Sequence, residues 1–400
     1  MYSEEVIAEG HLVDSSLLEK IFDTIIIYKG QFKVLEFKLG TTNLEPSIAR
    51  IKVIAKEKKQ LDLIIGQLSL IGCSVAKTQE AILKDSEKDK TVPDDFYSTT
   101  NHRTEIFLDR NWVLVENQRM DSIIVVKDGK AVCTLLRSIK KGDNVVCGYE
   151  GVRVTPEFKE RDRNGFSFMD AEVSSEKRVE ISVRKTAALM KDIKKRKGKI
   201  VLVAGPVVTH SGGGRALASL IRKGYVDALL SGNALAVHDA EWSFFGTSLG
   251  VDLKTGQQVN HGHKNHMAAI NQLNKYGGIK GAVESGKLKK GIFYECVKNN
   301  VPYVLAASIR DDGPVDDVTV NMIEAQKKYS EVLKGAELVI MLSSMLHSIG
   351  TGNMIPSYVK TVCVDINPAV VTKLNDRGSS QAVGIVTDVG LFLELLDKEL

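Results

Sequence analysis

The stretch Pro206-Val207-Val208-Thr209-His210-Ser211-Gly212-Gly213-Gly214-Arg215 follows an apolar run, KIVLVAG, and leads into a helical pattern. A glycine-rich turn between strand and helix lets backbone N–H groups approach a diphosphate, whose charge the helix N-terminus favours. The spacing is neither G-x-G-x-x-G nor a Walker loop, so the run also fits a plain tight turn. More polar residues close the other apolar runs. They are Ser231-Gly232-Asn233-Ala234, Arg310-Asp311-Asp312-Gly313, Ser343-Ser344-Met345-Leu346-His347, Asp365-Ile366-Asn367-Pro368 and Thr387-Asp388-Val389. Ligands of open α/β sheets sit outside the carboxyl ends of the strands, so these endings together point to a nucleotide crevice. Asp365 stands where a carboxylate can accept hydrogen bonds from an adenosine ribose, which favours NAD over its 2′-phosphorylated form. Capping of the next helix is the alternative role for that residue.

His261-Gly262-His263-Lys264-Asn265-His266 holds three of the eight histidines. No carboxylate or cysteine partner stands at a recognisable metal-ligand spacing, so no metal is expected and proton or substrate handling is the functional reading. Phe96-Tyr97-Ser98-Thr99-Thr100-Asn101-His102-Arg103-Thr104 is rich in hydroxyls and amides. It reads either as a solvated turn or as a lid offering hydrogen bonds to an amino-acid carboxylate.

The elements that must position these residues fall into segments. Over residues 1–83 strand and helix patterns follow in the order β-α-β-β-α-β, with period-2 alternation at 31–39, as in a ferredoxin-like or ACT-like α+β module. Residues 84–95, charged and carrying Pro93, read as a linker. Residues 96–175 form a small β-rich domain, with turn signals at Asp128-Gly129 and Gly142-Asp143. From 176 to 400 apolar strands alternate with helices, the rhythm of a doubly wound, Rossmann-like parallel sheet covered on both faces. The fold class is therefore α/β, with the dinucleotide domain at the C-terminal end. The basic run at 191–199 reads as a solvated linker face.

Composition narrows the function. The 400 residues carry a formal net charge of +4, from 54 basic and 50 acidic side chains spread along the chain, which gives no reason to expect nucleic acid. Five scattered cysteines supply no disulfide framework, and Cys133 and Cys363 fall within apolar strands. With no secretory pattern and no long apolar run, we expect a cytoplasmic protein with no membrane partner. A homo-oligomer is expected, of an order the sequence does not specify.

Taken together, several motifs resemble one family. They are Gly10-His11-Leu12-Val13-Asp14-Ser15, Phe96-Tyr97-Ser98-Thr99-Thr100-Asn101, Gly262-His263-Lys264-Asn265-His266, Ser308-Ile309-Arg310-Asp311-Asp312-Gly313-Pro314 and Val364-Asp365-Ile366-Asn367-Pro368. The chain resembles the archaeal-type ornithine cyclodeaminases, which share a region named after lysine-oxoglutarate reductase/saccharopine dehydrogenase. It is also similar to the C-terminal part of cyanobacterial arginine dihydrolase/ornithine cyclodeaminases. The family has proline where Arg103 stands, so no role is carried onto that residue. The resemblance implies conversion of L-ornithine to L-proline and ammonia, with NAD recycled within each turnover. It implies dinucleotide contacts at Asn233, Ala234, Asp312, Ser344, Met345, Leu346, His347, Asp365, Asp388 and Val389. For catalysis the candidates are His263, which can titrate near neutral pH, and Asp311, which could orient a substrate amine. Asn101, Lys264 and Asn265 are candidate substrate contacts. Two other readings stay open at this point: an NAD-dependent amino-acid dehydrogenase of saccharopine type, and an NAD-binding regulator that senses an amino acid.

Overall fold

The structure is a computed structural model. It describes the chain except residues 11, 13–16, 42–44, 156–178, 254, 260, 261, 312 and 377–381; the side chains of 263, 371, 375 and 376 also lie outside the description. The chain divides into two compact units, Met1–Ser167 with Asn353–Tyr358, and Phe168–Gly352 with Val359–Leu400.

The first unit opens with β1 (Tyr2–Gly10), α1 (Leu17–Ile27), β2 (Gln31–Lys38), β3 (Ser47–Ala55), α2 (Lys58–Leu70) and β4 (Cys73–Val75). The strands form a sheet in the order β2-β3-β1-β4. In β3 every second residue is buried, from Ser47 to Ala55. That period turns Ala49, Ile51 and Val53 toward Ile21 and Ile25 of α1 and Leu61, Ile64 and Leu68 of α2, making one apolar core. β2 lies at the edge, with a register irregularity between Val34 and Glu36.

The second sheet contains β5 (Ile82–Asp85), β6 (Arg103–Leu108), β7 (Asn111–Glu116), β8 (Ile123–Lys127), β9 (Lys130–Thr134), β10 (Asn144–Cys147) and β11 (Val152–Thr155). Their order is β11-β6-β7-β9-β8-β10-β5. The expected linker at 84–95 needs correction here. Its first residues belong to β5, which pairs antiparallel with β10, and Ser86 N–H donates to the Asp143 carbonyl. β5 is an edge strand with three of four residues exposed, so its polar sequence reads like a loop.

The second unit contains α3 (Val179–Lys195), β12 (Lys199–Ala204), α4 (Val207–His210), α5 (Gly214–Arg222), β13 (Ala228–Gly232), α6 (Asn233–Phe245), β14 (Thr247–Ser248), β15 (Val251–Asp252), α7 (His263–Lys275), α8 (Gly278–Glu284) and α9 (Ile292–Lys298). It continues with β16 (Tyr303–Ala306), β17 (Val318–Thr319), α10 (Met322–Leu333), β18 (Ala336–Leu342), α11 (Met345–Met354), β19 (Lys360–Asp365), α12 (Pro368–Asp376), β20 (Ala382–Val386) and α13 (Val389–Glu399). The main sheet runs β17-β16-β13-β12-β18-β19-β20. Every pairing in it is parallel. Counting its long strands in chain order gives 3-2-1-4-5-6, the doubly wound order whose direction reverses between β12 and β18. The basic run at 191–199 is not a linker. It is the last turn of α3 and the start of β12, with Lys194 paired to Asp227 at 2.7 Å. Among the described residues no helix is long and apolar enough to cross a membrane.

Candidate functional site

The carboxyl ends of the parallel strands gather most of the residues singled out from sequence. Gly205 closes β12 and donates its N–H to the Leu342 carbonyl at 2.8 Å, while Ser343 N–H donates to Val364 at 2.9 Å. A side chain at Gly205 would collide with the Ser343 carbonyl, so the two loops at the reversal point touch backbone to backbone. Ser343 itself has φ +46, the left-handed region that costs a non-glycine residue about 1–2 kcal/mol. Beside it, a Cβ at Gly232 would lie 2.8 Å from His347 Nε2. The Tyr329 hydroxyl donates to the Ser231 carbonyl at 2.6 Å and meets His347 Nδ1 at 3.1 Å. Burial lowers the His347 pKa and the nearby Asp311 carboxylate opposes that shift.

Asn233 begins α6, and its Oδ1 accepts from Val315 N–H at 3.1 Å; Ala234 beside it is half-buried. Ser344 is half-buried, while Met345 and Leu346 are exposed, Leu346 by 75%. Asp365 is buried, and one of its oxygens accepts from Asn367 N–H at 2.8 Å, so it caps the turn and still presents a carboxylate at the strand end. Ile366 next to it is 72% exposed. Exposed apolar side chains between polar strand ends suit the faces of aromatic rings. Asp388 is the N-cap of α13, accepting from Leu391 N–H at 2.9 Å, and Val389 is buried in the core. Asp312 lies outside the described residues.

The glycine-rich turn packs closely on a neighbouring helix. A Cβ at Gly213 would meet Leu393 at 3.0 Å and the Gly390 α-carbon at 3.1 Å, and one at Gly390 would collide with the Ser211 carbonyl. These two glycines let the 211–214 turn sit against α13. Gly212, at φ +84, faces open space.

A second cluster in this unit was not foreseen. Glu241 of α6 is fully buried. Its Oε1 accepts from the Thr247 hydroxyl at 2.8 Å and Gly250 N–H at 3.0 Å. Its Oε2 accepts from Leu249 N–H at 3.1 Å and faces His238 Nδ1 at 3.2 Å. Burial would raise the Glu241 pKa, but these bonds outweigh it and hold the carboxyl below its ordinary value. The His238 ring lies 4.4 Å from that of His210 and 4.9 Å from that of His266, centroid to centroid. His210 Nδ1 meets Ser248 Oγ at 2.6 Å, and burial with the neighbouring His238 holds its pKa down at about 4. His238, Glu241 and His266 place ligand atoms within 4.8 Å of one another, a spacing a divalent cation could bridge. The carboxylate already has a neighbour for each of its lone pairs, so the arrangement reads first as an anchor that orients imidazoles. Sequence spacing missed His210, His238 and Glu241. The available signal was the presence of His238, Asp239 and Glu241 inside the otherwise apolar helix NALAVHDAEWSFF.

The remaining candidates divide. Asn265 joins this network, its Nδ2 donating to Thr247 Oγ1 at 2.9 Å, while Lys264 is exposed. His263 begins α7, but its side chain lies outside the description. Asp311 accepts from Ser308 N–H at 2.7 Å on the loop after β16. Asn101 belongs to the first unit and is buried there. The run around it is no exposed lid, since Tyr97, Thr99, Thr100 and His102 are all buried.

Known proteins carry the same arrangement of regions. Residues 184–396 match the family described as arginine dihydrolase ArgZ-like, C-terminal, Rossmann fold, and residues 103–183 match its C-terminal first region. Residues 3–102 match the LOR/SDH bifunctional enzyme conserved region. An ornithine cyclodeaminase of Methanocaldococcus jannaschii is 52% identical, over 100% of this chain and 96% of its own length. The bifunctional arginine dihydrolase/ornithine cyclodeaminase ArgZ of Synechocystis is 49% identical over 98% of this chain and 57% of its own. Among solved structures, apo ArgZ superposes with a TM-score of 0.87 at 45% identity, covering 100% of this chain and 58% of that one. AgrE in ternary complex with ornithine and NAD+ gives a TM-score of 0.55 at 47% identity, over 100% and 57%. From N-terminal module to Rossmann sheet, the chain belongs to the LOR/SDH-region family that includes the archaeal ornithine cyclodeaminases and the C-terminal part of ArgZ.

Proposed function

We infer that this chain is an ornithine cyclodeaminase, an NAD-dependent ammonia-lyase that converts L-ornithine to L-proline and ammonia with the coenzyme regenerated in each turnover. The observation that carries the reading is full-length identity of 52% to an archaeal protein of that name. The 3-2-1-4-5-6 parallel sheet supports it with a crevice of the right kind.

The residues at that crevice fit a dinucleotide. Asp365 offers an acceptor for a ribose diol and would repel a 2′-phosphate. Asn233, Ala234, Asp312, Ser344, Met345, Leu346, His347, Asp388 and Val389 are the other proposed contacts, of which Val389 contributes through its backbone because its side chain is core. When bound, NAD supplies a reversible hydride acceptor. The chain must supply a base for the α-ammonium group of the substrate, and His263 and Asp311 are proposed for that proton and for orienting the amine. Asn265 commits its amide nitrogen to Thr247, which leaves its carbonyl oxygen for a substrate N–H; Lys264 and Asn101 complete the proposed substrate contacts. The same reading makes the protein a cytoplasmic homo-oligomer, and sedimentation of the purified chain measures the second part directly.

The deciding experiment incubates purified protein with L-ornithine and a catalytic amount of NAD. Proline and ammonia in equal amounts, far exceeding the NAD supplied, are expected without any build-up of reduced coenzyme. Stoichiometric reduced coenzyme with no proline would instead identify an amino-acid dehydrogenase.

A further inference from the structure

Two loops of the first unit, at residues 99–102 and 118–122, are laced together by hydrogen bonds. Thr99 N–H donates to the Ser122 carbonyl and Ser122 N–H to Thr99 Oγ1, both at 3.0 Å. The Thr99 hydroxyl donates to the Arg119 carbonyl at 2.7 Å, and Gln118 Nε2 donates to the Thr100 carbonyl at 2.5 Å. Residues Asn353–Tyr358, which group with this unit, add a third side: Met120 N–H donates to the Asn353 carbonyl at 3.3 Å, and Ser357 N–H to the Asn101 carbonyl at 2.8 Å. On these same loops Asn101 Oδ1, His102 Nδ1, Gln118 Oε1, Arg119 Nε and Ser122 Oγ are buried without a hydrogen-bond partner. Asn101 is 1% exposed, Ser122 0%, and His102 and Gln118 8% each. Each such atom costs about 1–3 kcal/mol if left unmet, and native interiors hold few of them.

The chemistry of these atoms selects what would meet them. Gln118 nitrogen donates to a carbonyl oxygen, which can only accept, so its Oε1 needs an N–H or O–H donor. Arg119 Nε can only donate and needs an acceptor. Burial and the charge of Arg137 disfavour the Arg119 cation more than the Asp121 carboxylate favours it, so a further negatively charged acceptor suits it better than a neutral one. Burial holds the His102 imidazole down at about 4, so it adds no competing charge near neutral pH. A carboxylate and an amine on one carbon meet both demands at once. Water meets the same atoms singly but brings no anion to the guanidinium.

We propose that Asn101, Gln118, Arg119 and Ser122 form a binding site for the α-amino-acid end of L-ornithine, Arg119 taking the carboxylate and the Gln118 and Asn101 oxygens the amine. This rests on the ornithine cyclodeaminase reading and adds Gln118, Arg119 and Ser122 to the residues foreseen from sequence.

The test uses two analogues on the full-length, NAD-loaded protein: putrescine, which lacks the carboxylate, and 5-aminopentanoate, which lacks the α-amine. Arg119→Met should weaken binding of 5-aminopentanoate and raise the KM for ornithine by about 10- to 100-fold, leaving putrescine within about twofold. Gln118→Leu should weaken putrescine and ornithine and spare 5-aminopentanoate. Arg119→Lys should recover part of the loss, and NAD affinity should hold in every variant. Should either variant fail to fold, Gln118→Glu carries the discrimination, since its added negative charge should favour putrescine and oppose 5-aminopentanoate, while Arg119→Lys keeps the cation and should stay close to the wild type for both. Equal effects on both analogues, no effect on either, or a fall in NAD affinity would overturn the proposal. So would analogue binding that changes while the ornithine KM does not, which would mark an effector pocket. A wild-type protein that discriminates the analogues but makes no proline would refute the cyclodeaminase reading and leave a carboxylate-and-amine site standing.

Discussion

Four neighbours converge on the carboxylate of Glu241, which is itself fully buried. Replacing it by alanine strands the Leu249 and Gly250 amides and the Thr247 hydroxyl and removes the group that orients His238. We expect Glu241→Ala to cost about 2–4 kcal/mol, seen as a fall of several degrees in the unfolding midpoint. An unchanged midpoint would mean the network is not a structural anchor. His102 gives a pH dependence of known sign. Its folded pKa, about 4, lies below the ordinary value near 6.5, so the folded form binds its proton less readily than the unfolded chain does. The stability it contributes is complete above about pH 6.5 and is lost as pH falls toward 4. His210 shifts in the same direction. Urea unfolding at pH 7 and pH 4.5 should therefore show a smaller acid loss for His102→Gln than for the wild type, and equal losses would refute the assignment.

At the scale of elements, α13 and the 211–214 turn depend on two glycines that no side chain can replace without movement. Gly390→Ala places a methyl group against the Ser211 carbonyl, and we expect it to destabilise the protein by about 1–3 kcal/mol while Gly212→Ala disturbs packing less. Comparable losses at both positions, read by thermal unfolding, would show the turn to be governed by backbone conformation instead. This is also where sequence reading reached its limit. The long apolar strands β12, β18 and β19 were plain because a sheet covered on both faces requires continuous apolar runs. The edge strand β5 was hidden by its lysine and aspartate, and α6 by three titratable residues buried in a helix that should have been apolar. The strand-end residues were legible because position in a parallel sheet follows from order alone. The Glu241 network was not, because its members lie on α4, α6, β14 and α7, and only the packed fold brings them together.

For the molecule as a whole, the chain divides into two compact units, and the proposed coenzyme contacts lie on the second. Calorimetry is then expected to resolve two unfolding transitions, with NAD at about 100 times its Kd stabilising one of them by about 2.7 kcal/mol. If both transitions rise together, or neither does, the contacts proposed on the second unit are wrong.

The irregular edge strand β2 has a bearing on how this protein behaves at high concentration. Val34, Leu35 and Phe37 leave greasy side chains along a rim whose amides face outward, the pattern that seeds open-ended stacking of one molecule on the next. The break in pairing after Val34 and the flanking cations of Lys33 and Lys38 act as guards against such polymers. Neutralising both lysines would leave the fold intact and remove that protection, so turbidity on storage would be the first sign.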